Sequence, residues 1–262
     1  MINSPANPFV KAVAQLRKRR GREHSGQILI DGHRALELAL AAGVGVVDVC
    51  LRENAPREAV EAAQRAETAG ARVTLLGERA FARVAYGDAP DTVVAVAERP
   101  ETALESLDDL GPSPLLAVVE GVEKPGNLGA VLRTADAVGA DAVLVADPVT
   151  DPFGPNTIRA SRGTVFSLPL VAADGATMMA WLKARSIRLL AATPGANKNY
   201  TDTDMTGPLA IAVGAEHQGL SELWLEGADK VVIPMRGQAD SLNLSASLAV
   251  LLYEALRQRD IR

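Results

Sequence analysis

A single cysteine, Cys50, occurs in the 262 residues. That excludes an intramolecular disulfide framework and suits a reducing, cytoplasmic setting. Cys50 lies in the apolar run 46–51 and reads as a core residue rather than a reactive thiol. No apolar run approaches the ~20 residues that a membrane-spanning helix needs. The opening Met1-Ile-Asn-Ser-Pro lacks the apolar stretch of a signal peptide. The histidines His24, His33 and His217 lack metal-ligand spacing and no cysteine pair supports zinc, so no metal is expected. There is no G-x-G-x-x-G after a strand and no G-x-x-x-x-G-K-S/T, which weakens dinucleotide and P-loop readings. His217 stands beside Glu216, but without a G-x-S-x-G elbow a hydrolase dyad has little support.

The composition itself is that of a soluble globular protein, 48% hydrophobic and 23% charged, long enough for one large or two medium domains. A net charge of −5 argues against a surface coated in positive potential. The charge is uneven, however. Residues 11–34 hold Lys11, Arg17, Lys18, Arg19, Arg20, Arg22 and Arg34 against Glu23 and Asp31. Phosphate affinity depends on local clustering of cations, so Arg17, Lys18, Arg19, Arg20 and Arg22 are candidate RNA contacts. A solvated helix end is the equally simple alternative.

Apolar spacing predicts an amphipathic helix over residues 6–20. Strand-like and helix-like segments then alternate: strands at 27–30, 46–51, 72–76 and 92–97, helices at 34–42, 57–69 and 80–86. This is a smaller α/β unit, residues 1–98. Residues 99–114, with Pro100, Gly111, Pro112 and Pro114, read as a linker without a core element. A second α/β unit, 115–262, restarts with strands at 115–120 and 142–146, a helix at 127–138 between them, and a helix near 156–162. An apolar stretch (165–171), a helix at 177–185, strands at 188–192, 209–213 and 231–234, and a last helix at 242–259 follow. Alternation of this kind implies a mostly parallel sheet covered on both faces.

Parallel sheets present ligands at the carboxyl ends of their strands, and three loops fall there: 121–127, 214–221 and 235–243. The first carries Glu120, Lys124, Gly126 and Asn127, with Arg133 two turns on. Asn127 reads as a helix N-cap or a ligand contact, Arg133 as a surface ion pair or a ligand contact. Glu216 sits between Gly214 and Gly219 in a loop that permits close backbone approach, where it can also bind nearby amides. Ser241 and Asn243 open the last helix. Capping alone accounts for one of them, but not for both together with Ser245 and Ser247. Gly214, Ile233 and Leu242 can offer main-chain groups and an apolar wall to a planar base.

Residues 127–139 (Asn-Leu-Gly-Ala-Val-Leu-Arg-Thr-Ala-Asp-Ala-Val-Gly), 214–221 (Gly-Ala-Glu-His-Gln-Gly-Leu-Ser), and Ile233-Pro-Met followed by Ser241-Leu-Asn-Leu-Ser-Ala-Ser247 resemble the three motifs of the SpoU (TrmH) family. Its members are S-adenosylmethionine-dependent RNA ribose 2′-O-methyltransferases of the SPOUT class. The likeness covers residues 115–259, includes 160–169 between the first two motifs, and lacks no motif anchor. Residues 1–98 resemble, more loosely, the L30e-like RNA substrate-binding domain often fused in front.

The resemblance implies a C-terminal trefoil knot, an exception to the rule that chains do not thread, and a homodimer with its sites near the subunit interface. It places Thr193, Gly214, Ile233 and Leu242 around S-adenosylmethionine. It makes Arg133 the residue that activates the 2′-hydroxyl, with Asn127, Glu216, Ser241 and Asn243 orienting it and the RNA. Arginine is a poor base in water, so either a substrate phosphate draws off its proton or Arg133 only polarises the hydroxyl. The expected substrate is 23S ribosomal RNA, an analogy with two-domain members. Transfer RNA, methylation of a base, and a non-catalytic RNA-binding protein are the alternatives.

Overall fold

The computed structural model describes residues 1–87, 91–216 and 218–260. The chain divides into two compact units, Met1–Pro100 with Asp151–Ser167, and Glu101–Thr150 with Leu168–Arg262. The first begins with α1 (Pro8–Gln15) and α2 (Arg19–Ser25). It continues through β1 (Gln27–Asp31), α3 (His33–Ala41), β2 (Val46–Arg52), α4 (Arg57–Thr68), β3 (Arg72–Leu76), α5 (Glu78–Val84) and β4 (Val93–Glu98). Its sheet has the order β1-β4-β2-β3; β4 runs antiparallel to both β1 and β2, while β2 and β3 are parallel. Val10, Val13 and Leu16 of the first helical turn region pack with Phe81 and Val84 over Leu29, Cys50, Val94 and Val96. Cys50 is fully buried there, and burial pushes its thiol pKa up to about 12.

The single helix expected over residues 6–20 is two helices. Asn7 caps α1 by accepting the Phe9 N–H at 2.9 Å. At the other end the carbonyl of Leu16 is taken by Arg22 Nη1 at 2.9 Å, so the chain can turn instead of continuing. α2 then passes so close that a Cβ on Gly21 would lie 2.2 Å from the Gln15 carbonyl oxygen. Only glycine fits that crossing, and periodicity gives no sign of it.

The second unit runs β5 (Leu115–Glu120), α6 (Pro125–Val138), β6 (Ala142–Ala146), and then leaves for the first unit, where α7 (Pro155–Ala160) lies. It resumes with β7 (Leu170–Ala173), α8 (Gly175–Ala184), β8 (Arg188–Ala192), β9 (Leu209–Val213), α9 (Glu222–Leu225), β10 (Asp229–Val231) and α10 (Leu244–Asp260). All its strand pairs are parallel, in the order β10-β8-β9-β5-β6-β7. β5 and β9 are neighbours although far apart in sequence, so the strand order reverses between them, and in parallel sheets ligands bind at the carboxyl ends of strands near such a reversal. The apolar 165–171 stretch divides into a 3-10 turn, Thr164–Phe166, and the start of β7. The last strand is earlier and shorter than 231–234, and α10 begins two residues after the expected 242. Residues 99–114 also differ from expectation. Leu104 and Leu107, three apart on a 3-10 turn, are buried in the core with Leu144, Val171 and Trp181. Near the end of α10, Arg259 donates to the carbonyls of Ser113 (2.8 Å), Met205 (3.3 Å) and Gly207 (2.5 Å) and so fastens three chain segments.

The excursion 151–167 is held in the first unit by buried charge. Asp151 Oδ2 accepts from Arg22 Nε at 3.0 Å and Nη2 at 2.7 Å, and Oδ1 accepts from Arg99 Nη2 at 3.0 Å and the Phe153 N–H at 3.1 Å. The Arg22 and Asp151 side chains are only 4% and 8% exposed. Burial alone would raise the Asp151 pKa, but the hydrogen bond from Arg22 and the charges of Arg99 and Arg22 outweigh it and hold the carboxyl below its ordinary value. A second tie joins Arg159 to Asp31 at 3.1 Å and to the Tyr86 carbonyl. Here burial dominates over Arg159, and the Asp31 pKa rises to about 6.

Candidate active site

A cavity of about 550 Å³ opens at the carboxyl ends of β8 and β9. Thr193 follows β8, Gly214 follows β9, and Ile233 and Leu242 lie on the segment between β10 and α10; all four line this one cavity. Ser241 and Ser247 line it as well, as do Leu220 and Met235. It is thus walled by apolar side chains, with hydroxyls and main chain at intervals, the usual make-up of a small-molecule site.

Gly214 is required by packing rather than by backbone conformation. A Cβ there would lie 2.0 Å from the Gly219 carbonyl carbon and 2.2 Å from the Leu220 nitrogen, both main-chain atoms that cannot swing away. The loop folds back on itself through a bridge between Ala215 and Gly219, with Gly219 at φ +67°. Its far end is anchored by Glu120, whose carboxylate accepts the Ser221 N–H at 2.7 Å and the Ser221 hydroxyl at 2.6 Å. The described residues of the loop are thus tied at both ends beside the cavity.

Two of the expected site residues converge on the carboxylate of a third. Glu216 Oε1 accepts from Asn127 Nδ2 at 3.0 Å and from Asn243 Nδ2 at 2.6 Å, and Asn243 Nδ2 also approaches Asn127 Oδ1 at 3.2 Å. Lys124 Nζ reaches Glu216 Oε2 at 2.5 Å, and this bond raises the lysine's pKa. Of the two readings that the sequence left open for Asn127, the N-cap does not hold. α6 starts at Pro125, whose missing N–H costs nothing at the first helical position. Asn127 therefore falls inside the first turn, with its side chain left for Glu216. Asn243 has two tasks. Its Oδ1 accepts the Ser245 N–H at 2.9 Å and the Ser245 hydroxyl at 2.6 Å, capping α10, while its Nδ2 serves Glu216. An asparagine can do both because its two polar atoms are one acceptor and one donor.

Arg133 stands apart from this cluster. It lies on an exposed position of α6, outside the cavity lining. His217 lies outside the described residues. Glu120 and Lys124 carry more of the local geometry than their sequence positions suggested. The signal available was that each borders the first loop.

The five candidate RNA-contacting cations in the first unit have different surroundings. Arg22 is buried and committed to Asp151 and Leu16, so it is absent from the exposed set. Arg19 pairs with Glu23 at 2.7 Å. Arg17 lies over the Tyr86 ring, 5.6 Å from its centroid. Lys18 and Arg20 are exposed and in no ion pair among the described residues. Among those residues no group of three or more His, Cys, Asp or Glu gathers as a metal site, and no helix is long and apolar enough to cross a membrane.

Comparison with known proteins matches both units. Residues 114–253 match the model of the SpoU rRNA Methylase family, and residues 7–95 that of the MRM3-like substrate binding domain. The chain is 30% identical to the 23S rRNA (guanosine(2553)-2′-O)-methyltransferase RlmP of Bacillus subtilis, over 96% of this chain and 97% of that protein. A crystal structure of an RNA 2′-O ribose methyltransferase superposes with a TM-score of 0.84 at 44% identity, over 98% of each chain. The SpoU methyltransferase AviRb of Streptomyces viridochromogenes, in complex with AdoMet, superposes with a TM-score of 0.88 at 30% identity, over 98% of this chain and all of that one. With residues of the second and third motifs lining one cavity, Asn127 of the first bonded to Glu216 in that lining, and the family's model matched over 114–253, the chain belongs to the SpoU rRNA methylase family.

Proposed function

We propose that the protein is an S-adenosylmethionine-dependent methyltransferase that modifies a ribose 2′-hydroxyl of 23S ribosomal RNA. The observation that carries this reading is the meeting of Asn127, Glu216 and Asn243 at the edge of a cavity lined by Thr193, Gly214, Ile233 and Leu242. The donor suits those residues. A flat base can lie against Ile233 and Leu242, the bare backbone at Gly214 permits close approach, and the hydroxyls of Thr193, Ser241 and Ser247 can meet its polar groups. The relatives named above support the ribose and the ribosomal target, since RlmP is a 23S rRNA 2′-O-methyltransferase and AviRb binds AdoMet.

Bound in this cavity, S-adenosylmethionine would supply an electrophilic methyl group for the ribose oxygen, whose proton would pass to a substrate phosphate. The chain's part is alignment and proton removal. Glu216, held by Lys124, Asn127 and Asn243, presents a fixed carboxylate beside the cavity. In this reading it orients the incoming ribose with Ser241, and Arg133 polarises the 2′-hydroxyl. Arg133 stands on an exposed position of α6, where a second copy of the chain or the RNA itself can complete the site. We accordingly infer a homodimer, working in the cytoplasm, with the first unit as the RNA-binding domain and the second unit, which includes most of the expected linker 99–114, as the catalytic domain. The trefoil knot of the family belongs to the same reading.

Arg133→Ala tests the assignment. It should abolish methyl transfer, by at least about a hundredfold, on the scale of losing one preorganised electrostatic group. S-adenosylmethionine affinity measured by calorimetry should be unchanged. Transfer at the wild-type rate would remove Arg133 from the mechanism.

A further inference from the structure

The larger cavity of the two described, about 710 Å³, lies in the first unit. It is a groove between α1, α2 and the sheet, with a floor of Val13, Leu16 and Val96, each at most 5% exposed, and the ring of Phe9 as one wall. Its rim carries Lys18, Arg20 and His24, all exposed. Arg20 and His24 are four apart on α2 and so share a face. Arg19 and Glu23 pair on another face, and Arg22 points into the protein. The short α2 thus sorts its charges: one cation is structural, one is neutralised, and the groove-facing pair is left to solvent.

The groove is built rather than incidental. The close crossing at Gly21 and the bond from Arg22 to Leu16 fix α2 over the end of α1, and the Arg22–Asp151 pair is buried behind them. Asp48 is the one carboxylate in the lining, and Arg72 neutralises it at 2.7 Å while lying over the Phe9 ring, 5.2 Å from its centroid. A chain of net charge −5 therefore shows here an apolar slot edged by Lys18 and Arg20, which form no ion pair among the described residues.

Such a slot suits neither an apolar helix, which would leave Lys18 and Arg20 desolvated, nor a free anion, which would not use the floor. It suits a nucleotide: a planar base over apolar and aromatic side chains, with phosphate on the cations. We propose that this groove receives one unstacked nucleotide of the RNA substrate, its base between Phe9 and the floor and its flanking phosphates on Lys18 and Arg20. The inference rests on the RNA-substrate reading given above and adds to it where, and in what form, the first unit takes hold of the RNA.

The test uses the full-length protein and a 23S ribosomal RNA transcript containing 4-thiouridine. Two variants probe the groove: Lys18→Ala with Arg20→Ala, and Ala12→Trp, which fills it from an exposed wall position. The cation variant should weaken RNA binding on the order of tenfold and make its salt dependence shallower by between one and two phosphate contacts. Ala12→Trp should weaken binding to a similar degree, on the order of the loss of one base-stacking contact. Both should leave S-adenosylmethionine binding and melting temperature as in the wild type. Photocrosslinks should map to residues 9–27. Wild-type RNA affinity in both variants, or crosslinks confined to other segments, overturns the proposal. Should a variant unfold, the crosslink map of the wild-type protein decides alone. RNA bound through the groove with no methyl transferred would refute the enzyme reading and leave the groove standing. Normal methylation with undiminished binding in the groove variants would do the reverse.

Discussion

Replacing Asn243 by aspartate separates the two tasks of that side chain. Aspartate caps a helix as well as asparagine does, so the bond to the Ser245 N–H survives and α10 keeps its start. The donor to Glu216, now at 2.6 Å, is lost, and a second negative charge takes its place. Two unit charges at about 3.5 Å repel by about 1 kcal/mol with full water screening and about 5 kcal/mol at an effective dielectric of 20. The lost hydrogen bond to a charged group adds about 1.5–3 kcal/mol. A displacement energy of at least about 2.5 kcal/mol moves Glu216 out of place, which corresponds to a loss of methyl transfer of about seventyfold or more. The assay is transfer of labelled methyl from S-adenosylmethionine to 23S ribosomal RNA, with melting temperature as the control. Asn243→Ala should instead lose the cap too and melt lower by about 2–4 °C, the shift expected from about 1 kcal/mol in a domain of this size. Wild-type transfer by Asn243→Asp would refute the claim that Asn243 acts by holding Glu216.

Gly214→Ala should weaken S-adenosylmethionine binding by at least tenfold, since its Cβ collides with main chain at Gly219 and Leu220 and forces the loop into the cavity; unchanged affinity by calorimetry would contradict this. Asp151→Ala leaves Arg22 buried without its carboxylate and should cost about 3–5 kcal/mol in chemical denaturation; a loss below about 1 kcal/mol would mean that the ion pair does not hold the 151–167 excursion. Asp31, with its folded pKa raised to about 6, binds more protons folded than unfolded between about pH 4 and 6. Its contribution to stability therefore falls as pH rises through that window, and Asp31→Asn should flatten the profile there. An unaltered profile would contradict the burial argument.

The strands of the second unit were legible because they are buried on both faces and read as short apolar runs. Those at 115–120, 142–146, 188–192 and 209–213 coincide with observed strands. What escaped depends on partners distant in sequence. The break after Leu16 is made by Arg22 and by a crossing that only Gly21 permits, and no local period records either. Leu104 and Leu107 looked like linker because a 3-10 turn with two leucines has no period to detect. The transfer of 151–167 to the first unit rests on Asp151 meeting Arg22 and Arg99, 129 and 52 residues away. At the site, residue types and loop placement were readable from the three motifs. That Glu216 is the point on which Asn127 and Asn243 converge, and that Asn243 divides its amide between a helix cap and that carboxylate, depends on contacts between residues 27 to 116 positions apart, which no local pattern records.

The most direct test of the central claim is nucleoside analysis of 23S ribosomal RNA after incubation with the purified protein and S-adenosylmethionine labelled in its methyl group. The account predicts label in a single 2′-O-methylated nucleoside, and none when Arg133 is replaced by alanine. Label in a methylated base, or no transfer to 23S ribosomal RNA by a protein that binds both substrates, would contradict it.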